Sequence, residues 1–419
     1  VEKEKITRET LNIYKDSKKD SVLHNKINMS THEVESLVLR LAPESHDNTM
    51  EELLGILLTK GIKNAMEVVE GLKNAHIQDD FHRFLVQYLI TTLHIPGLKE
   101  GNNLWKSLNK TLFEVTLPDK NPNDPRSFKD IISTMEQFFA GMQYIGEDRD
   151  NKGSDVYTLE ISTSHNSGDV IFYVGVPKEK SELFEKQLLS IHPLARINEV
   201  PDDYNIFSEG NENALAYASL EQNDVIPIKT YEEFDRDPIE IFINSFNKIS
   251  NQGEGAGIQF VIRPCSQSII KHFTSLLEKA KKGEEVKKED SPFGDLAKEF
   301  GGILLETFFN KEEKKEEDKK INESLVSNIQ KKLESTITNV NIRIVTSSKT
   351  KERSNMMLSD IEASFSQFSL PGGNSIKFIN QKDKKLHDSI TDFSFRNYKE
   401  ETTIILNHKE LATLVHFPY

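Results

Sequence analysis

Apolar and polar positions change period near residue 110. Before it, apolar residues recur at three- and four-residue steps. Thr31 stands ahead of Val34, Leu37, Val38 and Leu41, and Asn48 and Thr49 precede Met50, Leu53, Leu54, Ile56, Leu57 and Leu58. Gly61 separates that run from Ile62, Met66, Val69 and Leu72. Asp79 or Asp80 is placed to cap a helix carrying Phe81, Phe84, Leu85, Tyr88 and Leu89, which Pro96 and Gly97 end. This spacing predicts a small all-α domain of about four helices over 30–105. Residues 1–29 are polar, rich in Lys and Asp and without periodicity, and read as a flexible leader.

Beyond residue 110 strands and helices alternate. Thr111–Leu117 reads as a strand, and Ile131, Ile132, Met135, Phe138, Phe139, Met142 and Ile145 as a helix. Strands follow at Asp155–Thr163 and Asp169–Val176, joined by a turn at Asn166-Ser167-Gly168. Pro177 opens a helix holding Leu183, Phe184, Leu188 and Ile191, and Ala195–Val200 is a last strand. That β-α-β-β-α-β order over 110–202 is the ferredoxin-like one. It returns over 210–407: strand Ala214–Glu221, a helix from Asp237 and Pro238, strands Ile258–Arg263 and Val340–Ser347, a helix with Met357, Leu358, Ile361, Phe365 and Phe368, and a strand Ser375–Ile379. An insertion, 265–338, separates its second and third strands. It holds helices at Ile269–Leu277 and Ile321–Leu333, charged runs Lys281–Asp290 and Lys311–Lys320, and an amphipathic helix over 291–310. That helix is free to dock on its own chain, on a partner or on a membrane surface. The expected fold class is therefore α+β: a helical domain, then two ferredoxin-like modules packed side by side, each leaving one sheet face open for interaction.

Composition narrows the function. The chain has 419 residues, 53 Lys and Arg against 67 Asp and Glu, and a net charge of −14, the wrong sign for wrapping DNA through phosphates. Cys265 is the 1 cysteine, which excludes an intrachain disulfide or a cysteine zinc site and makes the cytosol the simplest compartment. The longest apolar stretch, Phe84–Ile95, is about 12 residues where a span needs about 20. No complete catalytic motif is present. Gly253-Glu254-Gly255-Ala256-Gly257 and Pro371-Gly372-Gly373-Asn374 lack the lysine of a phosphate loop and read as turns. His76, Asp79, Asp80 and His82 are ligand types, but the histidines fall on different helix faces. Cys265 with His272 is too sparse for a nucleophile and its base. Arg263, Arg343 and Arg353 stand at strand ends or helix starts, suited first to structural ion pairs and otherwise to an acidic partner or a phosphate backbone. No catalytic, cofactor-binding or metal residue is assigned.

Four stretches resemble the region ahead of the motor in coupling-protein-like ATPases of type IV secretion and conjugation, in the HerA/FtsK superfamily. They are Leu159-Glu160-Ile161 through Asp169–Pro177 to His192-Pro193; Pro227–Phe234 with Asp237-Pro238; Gln259–Pro264; and Ile405–Pro418. The resemblance spans about 110–419 and brings no catalytic residue, since no phosphate loop, acidic magnesium-holding strand or arginine finger is present. It implies a non-catalytic assembly region. Protein partners or self-association follow, with membrane machinery as a further partner, DNA reached only through the full-length protein, and no small-molecule substrate or cofactor. The expected place is the cytoplasm, up to the inner face of the cell membrane. Residues 408–419 are then expected to start a linker to a motor domain, with Val1 marking a processed form or a piece of a longer protein. The other readings are a stand-alone interaction scaffold and a single-stranded nucleic-acid binder that stacks bases on a ferredoxin-like sheet.

Overall fold

The computed structural model describes residues 48–92, 103–118, 126–146, 155–163, 169–201, 203–249, 253–293 and 321–418. The expected leader, the helix begun at Thr31, the turn at 166–168, the charged run Lys311–Lys320 and nearly all of the 291–310 helix lie outside these residues. The chain divides into two compact units, 1–109 and 110–419.

The first unit contains α1 (Asn48–Lys60), α2 (Ile62–Leu72), α3 (Ala75–Thr92) and α4 (Asn103–Leu108). Gly61, at φ 82, makes the break between α1 and α2 that a side chain would strain. Met50, Leu53, Leu54 and Leu57 of α1 are buried, in the spacing expected, but the buried face of α2 is Ile62, Ala65 and Val69, with Met66 half-buried and Leu72 exposed. The start of α3 is a correction. Asn74 caps it, its Oδ1 accepting from the backbone N–H groups of His76 (3.0 Å) and Ile77 (3.3 Å). Asp79 and Asp80 lie a full turn inside and pair with Arg83, while His76 stands 3.4 Å from Asp80.

The second unit is α+β, built on one antiparallel sheet. Its strands are β1 (Lys110–Thr116), β2 (Tyr157–Thr163), β3 (Val170–Pro177), β4 (Arg196–Glu199), β5 (Glu212–Leu220), β6 (Gly255–Pro264), β7 (Ile337–Ser348), β8 (Ile376–Asn380) and β9 (Ile404–Asn407). The helices are α5 (Phe128–Met142), α6 (Ser181–Ile191), α7 (Ile239–Phe246), α8 (Gln267–Lys281), α9 (Glu323–Leu333), α10 (Lys351–Ser364), α11 (Asp383–Ser394) and α12 (His408–Leu414). Strand order is β4-β1-β3-β2-β6-β7-β5-β8, with β9 also paired to β7. Read inward from either end, each half runs fourth, first, third, second strand of its own repeat. The halves meet where β2 pairs with β6, Leu159 opposite Phe260 and Ile161 opposite Ile258. One sheet thus runs through both halves.

One apolar layer covers the first face. Tyr157, Leu159 and Ile161 of β2, Ile258, Phe260 and Ile262 of β6, and Phe138, Phe184, Phe242 and Leu358 from the helices belong to a single cluster. Burying each large side chain stabilises by roughly 1.5–3 kcal/mol. Ala214, Ala216 and Ala218 put small side chains inward on β5, where α10 packs. Phe242, Phe365 and Phe368 fill the space between α7 and α10, with ring centroids of Phe242 and Phe365 4.6 Å apart. Ser127 caps α5 and forms a capping box with Asp130.

The second face, expected to be open, is covered. Helix α11 and the segments 203–207 and 395–403 lie over it. Phe393 of α11 packs against Phe207 and Tyr204 and accepts from Gln259 Nε2 through its carbonyl (3.2 Å). The reason is polarity: this face presents Glu160, Gln259, Asn341 and Arg343, all buried, and such groups need partners away from water. Helices α8 and α9 of the insertion pack on each other and bury Phe273, Leu276 and Ile329 with Val225, Ile337 and Ile405.

Candidate functional site

Each polar candidate of the sequence finds a structural partner. Arg263 holds Glu400 through two bonds (2.5 and 2.9 Å), with its guanidinium 4.0 Å from the Tyr398 ring centre. Arg353 holds Glu254 through two bonds of 2.8 Å. Arg343 is buried and donates to Gln259 Oε1 (2.6 Å) and the Asn397 carbonyl (2.7 Å). His272 Nε2 meets the Asp290 carbonyl at 2.5 Å and so is engaged away from Cys265. Burial pushes the Cys265 thiol up to about 12, which keeps it protonated and a poor nucleophile. Gly253 (φ 75) turns the chain into β6, and Gly372 (φ 72) turns it toward β8. Among the described residues no group of three or more His, Cys, Asp or Glu is placed to hold a metal.

What the structure does bring together is three of the four separate phrases behind the family resemblance, which meet at α12 and its continuation, while Gln259–Pro264 pairs with β2 and β7 instead. Residues 408–417, expected to begin a linker, form instead a buried helix and its continuation, with His408, Glu410, Leu411, Leu414, His416 and Phe417 all inside. Asn407 caps the helix and makes a capping box with Glu410. Glu410 then reaches beyond its own helix. One oxygen accepts from the backbone N–H of Ile228 and the other from that of Asn407, both at 2.8 Å. Lys332 of α9 completes the set at 2.7 Å, and both side chains are wholly excluded from water. The Lys332 ammonium also donates to the Ile405 carbonyl at 2.7 Å.

The segment 228–239 runs beside α12 and matches it step for step. Thr413 Oγ1 accepts from the Tyr231 N–H (2.9 Å), Lys409 donates to Glu232 (2.9 Å), and His416 Nε2 lies 2.8 Å from Asp237. The other ring nitrogen of His416 faces the Ala412 carbonyl at 2.9 Å. Tyr231 in turn donates to Glu136 of α5 at 2.6 Å. On the far side, Phe417 packs against Phe172 of β3 and edge-on against His192. Phe139 lies tilted against His408, ring centroids 6.0 Å apart. Burial, then Arg126 and His416, pull His192 down to about 4; burial alone does the same to His408. Both are neutral at pH 7.

A second buried network ties the other face. Arg396 bonds Glu160 (2.8 Å) and Asp203 (2.6 Å), and Tyr204 donates to Glu160 at 2.5 Å. Burial opposes the Arg396 charge, but Asp203 and Glu160 outweigh it and hold the guanidinium charged. Arg396 and Asp203 sit at φ 53 and 56, left-handed conformations that cost non-glycine residues energy and that the ion pair sustains. Lys110 donates to the Arg396 carbonyl (3.0 Å); burial, with Arg396 nearby, lowers it to about 7.

Sequence reasoning missed Glu160, Lys332, Arg396 and Glu410 as a group, along with α11 and β9. For Glu410 a signal existed: Asn-x-x-Glu before an apolar run marks a capping box. For Glu160 it was a charge between Leu159 and Ile161 at the centre of a strand that carries no other charge. Nothing local marked Lys332, which looks like any helix lysine.

These features define an α+β domain whose buried charges are spent on internal joints. Residues 121–419 match the family described as "Domain of unknown function (DUF8128)", and the chain belongs to that family. No curated protein matches it. Among the described residues no helix is long and apolar enough to cross a membrane.

Proposed function

We propose that the second unit is a non-catalytic platform of two ferredoxin-like modules fused through their second strands, and that it works as the pre-motor region of a DNA-translocating or secretion-type ATPase. The observation that carries this is the seat of α12. Three of the stretches that resemble such a region are far apart in sequence, yet they meet at one helix and its continuation: Ile228, Tyr231 and Asp237 at Glu410, Thr413 and His416, and Phe172 and His192 at Phe417. A joint held by buried ionic and capping contacts transmits position rather than chemistry, because packed interiors deform little. ATP hydrolysis by the protein as its cell makes it, with and without DNA, tests the proposal. DNA-stimulated hydrolysis that falls in a folded His416→Ala variant supports it. Absence of hydrolysis from the wild-type protein removes the motor and leaves an interaction scaffold. The second reading has its own observation: Leu194, Tyr144 and Met356 are 75, 60 and 50% exposed, apolar surface that suits a protein partner.

A further inference from the structure

The insertion begins at a cleft that the platform reading does not use. Arg263 and Asn339 face each other across β6 and β7, and α8 starts four residues beyond Arg263. Together with Ser266, Ser268, Ile269 and Phe293 they line a cleft of about 400 Å³. Three observations on it are independent. The helix end is uncapped: Ser266 precedes α8 but makes no cap bond, its hydroxyl lying 2.7 Å from that of Ser268. The first amides of a fifteen-residue helix therefore point their partial positive charge at the cleft. Asn339, only 2% exposed, has a side-chain oxygen that accepts from nothing. A buried acceptor left this way is destabilising unless a ligand or solvent donates to it. Ile269 and Phe293, finally, give the cleft an apolar wall.

A ligand that satisfies all three carries an oxyanion for the helix end, an N–H for Asn339 and an apolar group for the wall. We propose that this cleft binds the terminal carboxylate of a polypeptide whose last residue is apolar. The carboxylate takes the amides of Gln267 and Ser268. The N–H of the last residue donates to Asn339, and its side chain lies on Ile269 and Phe293. Inorganic phosphate uses only the first of these features. Arg263 is already neutralised by Glu400, so the attraction for the carboxylate rests on the helix end.

The test uses the full chain with methyl-labelled isoleucine and follows the Ile269 methyl resonance. The probes are N-acetyl-leucine, its uncharged amide and inorganic phosphate. N-acetyl-leucine is expected to bind saturably in the millimolar range, as a dozen or so heavy atoms allow, and about tenfold tighter than the amide or phosphate. Ser268→Asp sets a carboxylate at the helix end; this is favourable for the helix itself but is expected to weaken N-acetyl-leucine about tenfold. Asn339→Leu weakens it several-fold, and Glu400→Gln, which relieves Arg263 of its counter-charge, tightens the acid but not the amide. Acid and amide binding alike, phosphate matching N-acetyl-leucine, binding unchanged in Ser268→Asp, or no saturable shift in the wild type each overturn the proposal. Dispersion of the other isoleucine methyls verifies that the variants are folded.

Discussion

Lys332→Met is the sharpest perturbation of the α12 seat. In the native protein the Glu410 carboxylate is wholly buried and balanced by one ammonium and two backbone N–H groups. Methionine fills the same volume and removes only the charge and its bond to the Ile405 carbonyl. An uncompensated buried carboxylate costs about 3–5 kcal/mol, a large part of the roughly 5–15 kcal/mol that holds a domain together. Glu410→Gln is expected to cost a similar amount by stranding Lys332. The double variant is expected to be less destabilised than the sum of the two singles, because no lone charge remains. Urea unfolding followed by far-ultraviolet circular dichroism measures all three. Trp105, the 1 tryptophan, lies in α4 of the first unit, so its fluorescence is the wrong probe. Hydrogen exchange of the β9 and α12 amides localises the effect. Single variants that each cost under about 1 kcal/mol, or costs that simply add in the double variant, would refute the assignment of this pair as a coupled joint.

Acid acts at the same place. His192 and His408 stay neutral in the fold down to about 4 but accept a proton near 6.5 when unfolded, so stability is full above 6.5 and falls toward pH 4, with a slope of at most about 1.4 kcal/mol per pH unit for each. Protection factors of residues 404–417 should drop between pH 7 and pH 5, and unchanged protection contradicts this. Glu362 titrates oppositely: burial raises it to about 7, its Oε1 has no partner, and stability is lost as pH rises from 4.5 through 7. Glu362→Gln should flatten that part of the stability profile. Glycines separate by what lies beside them. A Cβ at Gly255 runs into the Ile206 carbonyl, so Gly255→Ala should destabilise by several kcal/mol, on the order of other overpacked sites. Gly71→Ala, inside α2 with nothing within 4 Å, should raise the melting temperature by stabilising about 0.5–1 kcal/mol.

Much of the fold was legible because it obeys local rules. Strand and helix positions from Thr111 to Ile379 come within a few residues of those observed. Helix α11 was not legible, because its partners are the polar residues of distant strands. Its sequence, Asp383–Ser394, is mostly polar, yet Ser389, Ile390, Asp392 and Phe393 are buried. A helix that covers a polar sheet face matches no amphipathic template. The site was legible only in pieces. Asn407 and Glu410 announced a cap, but that the carboxylate also takes the Ile228 amide depends on a contact 182 positions away.

Why the two halves of the sheet join instead of standing apart is written in their edges. A strand at the rim of a sheet exposes unpaired backbone and is usually blunted by charge. The outer strands follow that rule: β4 exposes Arg196 and Glu199, and β8 exposes Lys377 and Asn380. Strands β2 and β6 do not. All of β2 is buried, and β6 is buried from Gly255 to Ile262. The polar groups inside that seam, Glu160 and Gln259, lie directly opposite each other across it. Glu160 is held by Arg396 and Tyr204, while Gln259 is held by Arg343 and the Phe393 carbonyl. Each half alone would leave an uncharged edge broken only by Glu160 on β2, or by Gln259 within the buried part of β6. Joined, they close the edge, and α11 with the segments beside it supplies the partners. The covering of the second face is thus a consequence of the fusion: a seam that buries a carboxylate and an amide at its centre needs a lid that carries arginine.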